Sequence, residues 1–244
     1  MSTSVRFACT GCGKCCSGHH VPLTLREARQ WAVAGGQVIV LIEGFVTDGP
    51  GMPVDQREHA LRRSSAVACG TGEVQVAITF AAFNPGRCRH LDAADRCGIY
   101  ESRPLVCQIY PAEINPHIPL RIEAKDCPAE AWEQGPELIH GQVPVDPALR
   151  ALIEASRQAD REDIGAKVVV CQRLGMTTSA LKGNGFTAWL PNMAAFAQAL
   201  EHCSEGVAQP WQLHVEDPAL AQTVGAHGLQ VTAQTPTYYT FIGF

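Results

Sequence analysis

A chain of 244 residues with 46% hydrophobic and 18% charged composition can bury a core without disulfide staples and fits one or two domains. Its formal charge of −5 argues against nucleic acid as a partner, because a phosphate backbone calls for an excess of Lys and Arg. Residues 1–10 hold no apolar signal segment and the longest apolar run, 38–42, is far too short to span a bilayer, so a soluble, cytoplasmic chain with no membrane partner is expected.

The chain opens on FACTGCGKCC, residues 7–16, where Cys9, Cys12, Cys15 and Cys16 crowd together around Gly11 and Gly13, which suit tight turns of a ligand loop. Two-residue gaps between cysteines aim sulfur atoms at a common centre in zinc knuckles and iron–sulfur loops alike. Cys15 and Cys16, as chain neighbours, are expected to point apart and not to close on one tetrahedral ion. Next comes a capping box, Thr24-Leu25-Arg26-Glu27, and a helix with Leu25, Ala28, Trp31 and Ala32 on one face that stops at Gly35-Gly36. Residues 38–42 read as a buried strand, and 49–65 as a polar loop with a short helix over 55–62. Val74, Val76, Ile78 and Phe80 alternate through a half-buried strand over 73–80.

The turn signal Asn84-Pro85-Gly86 feeds a second group of cysteines, Cys88, Cys97 and Cys107, with Cys127 following; these are expected on loops at a sheet edge or end. Ser102 is placed to cap a two-turn helix that opens at Arg103-Pro104 and ends at Pro111, which sets Cys107 near amide dipoles that favour a thiolate. Arg87, Arg89, Arg96 and Arg103 on this leg face only Asp92, Asp95 and Glu101, so they either offset thiolate charge or form a mixed surface. Beyond Trp132, Asp146-Pro147 and Asp217-Pro218 each open a helix. Between them a strand is expected over 167–171 and a helix over 192–203 carrying Met193, Phe196, Ala197 and Leu200. A last strand over 229–232 precedes Tyr238, Tyr239, Phe241 and Phe244, aromatic residues expected in core packing. The expected fold class is α+β or mixed α/β: a cysteine-rich metal-binding domain over 1–132 packed with a small α/β region over 133–244 of unassigned role.

In a reducing compartment the 11 cysteines stay free unless a metal claims them. The eight clustered thiols can supply two four-sulfur sites, or one cluster and a mononuclear ion, with the doublet as the strand of chain that the two share. Cys69, Cys171 and Cys203 stand alone and read as small apolar residues. His19, His20, His90 and His117 lie near cysteines in sequence and could replace a thiolate or hydrogen-bond to one, although a surface or core histidine is the commoner outcome. Residues 68–73, ACGTGE, have the look of a methyltransferase glycine loop, yet a strand follows where that motif needs a helix, which reads as a turn. The run Cys9, Cys12, Cys15 has the gaps of a bacterial ferredoxin run and tilts the choice of metal toward iron, with zinc as the alternative. No phosphate loop, nucleophile elbow or His-Glu-x2-His helix occurs, and no catalytic residue is assigned.

With Cys-x2-Cys-x2-Cys-Cys at residues 9–16 and Cys-x2-Leu…Cys-x-Ile-Tyr-x2-Arg-Pro-x2-Cys-x2-Tyr-Pro at residues 88–111 both present, the chain resembles the YkgJ-like cysteine-cluster family, described as zinc- or iron-chelating. The resemblance covers the first half, to about Trp132. It implies Cys9, Cys12, Cys15, Cys16, Cys88, Cys97 and Cys107 as metal ligands on a framework of Leu91, Ile99, Tyr100, Arg103 and Pro104; Cys127, in the later Lys-Asp-Cys-Pro, is added to these as the eighth clustered cysteine. The implied function is a metal-binding protein that chelates iron, as an iron–sulfur cluster, or zinc, with metal binding part of the folding of the first half. The flagellin lysine methylases look similar in their cysteine elements, which implies a metal-dependent methyltransferase as the alternative.

Overall fold

The structure is a computed structural model in which residues 4–47, 54–206, 208–233 and 239–243 are described. Contacts group the chain into two compact units, neither continuous in sequence: residues 1–21 with 83–158, and residues 22–82 with 159–244. The expected boundary after Trp132 follows where the cysteines thin out, whereas the contacts keep the chain as far as Gln158 with the cysteines. Helices and sheets are mixed in the manner of an α+β protein.

The elements in chain order begin with β1 (Ser4–Arg6), β2 (Val21–Leu23), α1 (Leu25–Val33), β3 (Val38–Phe45) and α2 (Val54–Arg62). They continue with β4 (Ser65–Cys69), β5 (Gly72–Ala82), α3 (Leu105–Ile109), α4 (Glu130–Glu133), β6 (Glu137–His140), β7 (Val143–Pro144) and α5 (Pro147–Arg173). The remainder is β8 (Thr178–Leu181), β9 (Gly185–Trp189), α6 (Met193–Glu201), β10 (Gln212–His214), α7 (Pro218–Ala226), β11 (Val231–Thr232) and β12 (Tyr239–Gly243).

In the unit of residues 22–82 and 159–244, β3 is the centre of a mixed sheet of order β11-β10-β8-β3-β5-β2. It pairs antiparallel with β5 from Val38↔Ala82 to Phe45↔Gln75, and on its other edge meets β8 in parallel and β9 antiparallel. A strand so enclosed buries nearly every residue, which is why its apolar run shows no alternation. Val74, Val76, Ile78 and Phe80 are all buried in β5, but Ala77 and Ala81 on the other face are buried as well, so the half-buried alternation holds only over the first residues of the strand. Residues 68–73 form the hairpin turn that joins β4 to β5, as the turn reading expects. The α1 capping box is complete, with Glu27 N donating to Thr24 Oγ1 at 3.2 Å and Thr24 N to Glu27 Oε2 at 2.9 Å. Tyr239 is buried in β12, its hydroxyl hydrogen-bonded to His214 Nδ1 at 2.8 Å, and Phe241 stacks on the same imidazole; Tyr238 and Phe244 lie outside the described residues.

The strand expected over 167–171 is instead part of α5, a helix of 27 residues. Val168, Val169 and Val170 favour a strand locally, but Ile164, Lys167, Val168 and Cys171 recur at helical spacing, and Lys167, Val168 and Cys171 are buried. Once Asp146 and Pro147 have opened the helix, each further residue adds a hydrogen bond, so propagation overrides β propensity.

In the other unit β1, β6 and β7 make a small antiparallel sheet. Its apolar core is Ile109 and Ala112 against Leu149 and Ile153, flanked by Leu105, Ile114, Leu138 and Leu152. This core fixes α3 and hence Cys107. No helix among the described residues is long and apolar enough to cross a membrane.

Candidate metal centre

All eight clustered cysteines fall in the unit of residues 1–21 and 83–158. Gly13 takes the left-handed conformation (φ 69°) and starts a single 3-10 turn, Lys14–Cys16, closed by Cys16 N donating to Gly13 O at 3.0 Å. Successive side chains of such a turn leave it only about a third of a revolution apart. The two sulfurs of the doublet swing together to 3.8 Å, which corrects the expectation that neighbouring thiols point apart.

The return leg is stapled to the doublet by backbone. Cys88 N donates to Cys16 O and Gly18 N to Gly86 O, each at 2.8 Å, around an antiparallel bridge between Ser17 and Arg87. A second bridge, Leu91↔Cys97, and a 2.7 Å bond from Gly98 N to His90 O fold Cys97 back beside Cys88. Asp92 Oδ1 accepts from the backbone N–H groups of Ala94 and Arg96 and closes the intervening loop.

The arginines divide between the two roles left open by the sequence. Arg87 organises the loop, donating to Asp95 Oδ1 at 2.8 Å and to the carbonyls of Leu91 and Asp92, and Arg96 pairs with Asp92 at 3.2 Å. Arg103 lies 3.6 Å over the Tyr100 ring, and its charge favours the thiolates of Cys16 and Cys107. Arg89 does the same for Cys88.

Helix α3 has five residues, fewer than the two turns expected, and no side-chain cap. Ser102 lies instead in a separate 3-10 turn, with its hydroxyl directed at Ile99 O, because Pro104 holds the intervening backbone extended. Nor is the Cys107 thiol eased toward ionisation as a helix start would suggest. Burial, reinforced by Cys16 and Cys88, pushes it up to about 12, and one short turn of dipoles does not offset that desolvation.

Cys127 enters from a third stretch. Its thiol donates to the Tyr110 hydroxyl at 3.6 Å, and His19 Nε2 meets Asp126 Oδ2 at 2.7 Å, tying the segment after the doublet to the residue before Cys127. Neither contact was legible in the sequence, although Tyr110 stands in the Cys-x2-Tyr-Pro element, where a residue three past Cys107 shares its helical face. His20 supports the turn before the return leg: Nδ1 accepts from Asn84 N at 3.1 Å and the ring stacks on Phe83. Cys69 and Cys171 are fully buried and Cys203 is half-buried, in keeping with small apolar residues.

A cavity of about 300 Å³ lies over the apolar core of this unit, floored by Ile109, Leu149 and Leu152. Cys9, Cys12, Cys15, Cys107 and Cys127 line it, with Arg103 and Tyr110. The thiols influence one another through space. The hydrogen bond between Cys15 and Cys16 raises the pKa of the first and lowers the second to about 6, since one proton is held between two sulfurs. Cys15 is raised further by burial and by Cys127 and Cys9. Burial raises Cys127, with Cys12 and Cys9 adding, and raises Cys88, with Cys16 and Cys97 adding. Among the described residues no three Cys, His, Asp or Glu side chains are already drawn in to the spacing of one ion's ligands.

A family model described as "CxxCxxCC: Putative zinc- or iron-chelating domain" matches residues 8–130, just over half of the chain and a span that contains all eight cysteines. No curated protein and no solved structure matches.

Proposed function

The chain belongs to the CxxCxxCC zinc- or iron-chelating family, and from that premise we propose a metal-binding protein in which Cys9, Cys12, Cys15, Cys16, Cys88, Cys97, Cys107 and Cys127 hold the metal. The observation that carries this reading is the gathering of cysteines from three separate stretches: five line one cavity, and Cys16, Cys88 and Cys97 are joined beside it by backbone bonds and bridges. Soft sulfur donors select zinc, copper(I) or iron–sulfur clusters, and the family description narrows these to zinc or iron.

Iron, as a cluster, is the favoured occupant. Cys9, Cys12 and Cys15 carry the gaps of a ferredoxin run, and the cavity they line offers room that a lone zinc ion closed upon by four sulfurs does not need. A cluster would supply one-electron chemistry, whereas zinc would only organise the fold. The chain's own contribution is the same for both: Arg103 offsets thiolate charge, and the Tyr110 hydroxyl, which accepts from the Cys127 thiol in the protonated form, donates to that sulfur once it is a thiolate.

Anaerobic purification followed by metal and acid-labile sulfide analysis tests the reading. Brown protein with iron, sulfide and a paramagnetic resonance signal in one redox state is the expected result. Colourless protein with stoichiometric zinc and no sulfide would overturn iron but keep the ligands. Protein that holds neither metal, even after reconstitution, would overturn the function.

A further inference from the structure

Resting on that metal-binding reading, we infer that a second, polar cleft beside the candidate centre takes a small zwitterionic thiol, a cysteine-type amino acid or short peptide, which carries metal to Cys12. The cleft has a volume of about 470 Å³, the size of a small-molecule site, and is more open than the cavity over the apolar core. Cys12 and Gly13 line both, so Cys12 stands where the two meet. Of the eight clustered cysteines only Cys9 and Cys12 are exposed, and Cys9 borders the inner cavity alone. Cys12 is therefore the ligand that metal arriving in the cleft reaches first.

The rest of the lining is charged. Lys14 and Arg87 face Asp95 and Asp126, with Ser17 beside them, and two cations against two carboxylates suit a zwitterion better than a simple anion or a bare cation. Arg87 is already spent on Asp95 Oδ1 and on the carbonyls of Leu91 and Asp92, and Asp126 Oδ2 on His19. Among the described residues, the Lys14 ammonium makes no hydrogen bond or ion pair, and the second oxygen of each carboxylate is open as well. An amino acid is the complement of that set. Its carboxylate meets Lys14, its ammonium meets the open carboxylate oxygens, and its thiolate holds the metal toward Cys12.

Transfer is then a ligand exchange with no change of oxidation state. The Cys12 sulfur bonds to the metal as the bond between metal and carrier sulfur breaks, and the proton lost by the Cys12 thiol goes to the departing carrier thiolate. Cys9, Cys15, Cys107 and Cys127 share the inner cavity with Cys12 and take the metal onward.

The test follows zinc uptake by the reduced, metal-free full chain from its complexes with cysteine, with cysteamine, which lacks the carboxylate, and with 3-mercaptopropionate, which lacks the amine. Free zinc is matched, and rapid desalting with metal analysis gives ions per chain against time. Cysteine should deliver about three- to tenfold faster than either partial mimic, the worth of one charge-assisted hydrogen bond in an open site. Lys14 is exposed, and Lys14→Gln should bring cysteine down to the rate of cysteamine, which separates the cleft's contribution from any difference intrinsic to the carriers. Equal rates from the three carriers in wild type overturn the proposal, and so does a Lys14→Gln protein that keeps the preference for cysteine over cysteamine. Wild type that takes up neither zinc nor iron, from a carrier or as the free ion, rejects the metal-binding reading itself, a result distinct from the other two.

Discussion

The backbone N–H of Cys88 donates to the carbonyl of Cys16 at 2.8 Å, so two candidate ligands far apart in the chain are aligned by main chain rather than by their side chains. A backbone bond of this kind helps to close the long loop between them, which lowers the entropy that metal binding must offset.

Gly13→Ala should damage this arrangement more than Gly11→Ala. Both glycines are left-handed, at φ +69° and +68°, and share a strain of about 1–2 kcal/mol on substitution. A Cβ at Gly13 would also meet Asp95 O at 2.7 Å, whereas one at Gly11 meets nothing within 4 Å. Metal content and thermal midpoint should both fall further for Gly13→Ala, and equal losses in the two variants would count against a role for the Gly13 turn in seating the doublet.

Cys16 should be alkylated ahead of Cys107 in metal-free protein at neutral pH. The hydrogen bond shared with Cys15 brings Cys16 down to about 6, while burial pushes Cys107 up to about 12, and only the thiolate is nucleophilic. Limited iodoacetamide treatment and peptide mass spectrometry give the order. Cys15→Ala should slow labelling at Cys16, and an unchanged rate would remove the hydrogen bond as the cause.

Stability of the unit of residues 22–82 and 159–244 should fall as the pH rises above about 8.5, where cysteines of an unfolded chain ionise. Burial holds the Cys69 and Cys171 thiols above that range, so the folded state keeps protons that the unfolded state has released. With fewer protons bound unfolded than folded, the free energy of unfolding declines with pH, by at most about 1.4 kcal/mol per unit for each thiol. Chemical denaturation between neutral and alkaline pH should show a shallower decline for Cys171→Ala than for wild type, whatever its stability at pH 7.

Asp160→Asn should destabilise the same unit by about 1–3 kcal/mol. Lys167 is buried to 2% exposure with its ammonium 3.2 Å from Asp160, which also meets Arg63 at 3.6 Å. Lys167→Met keeps the stem's packing and removes the buried charge, so it should be near neutral or stabilising. Urea denaturation of the two variants decides between them, and an equal loss in both would mean that packing of the stem outweighs the charge.

Residue spacing alone determined the elements whose cause is local. The Thr24 capping box and the proline-opened helices after Asp146 and Asp217 form as read, because their hydrogen bonds lie within a few residues, and β5 forms where its apolar residues marked a strand. The cysteine pattern likewise marked the chain as a member of its family, since close thiols with glycines between them have few other uses. Only the tertiary structure decided the rest. Residues 167–171 are helical because α5 propagates through them; Ser102 caps nothing because Pro104 extends the chain beyond it; and the Cys15 and Cys16 sulfurs meet because Gly13 tightens the turn. Which arginine reaches a thiol, and which cysteine stands beside which, depend on backbone bonds between Cys16 and Cys88 and between Gly98 and His90. A bond between stretches distant in sequence leaves no spacing along the chain from which it could have been read.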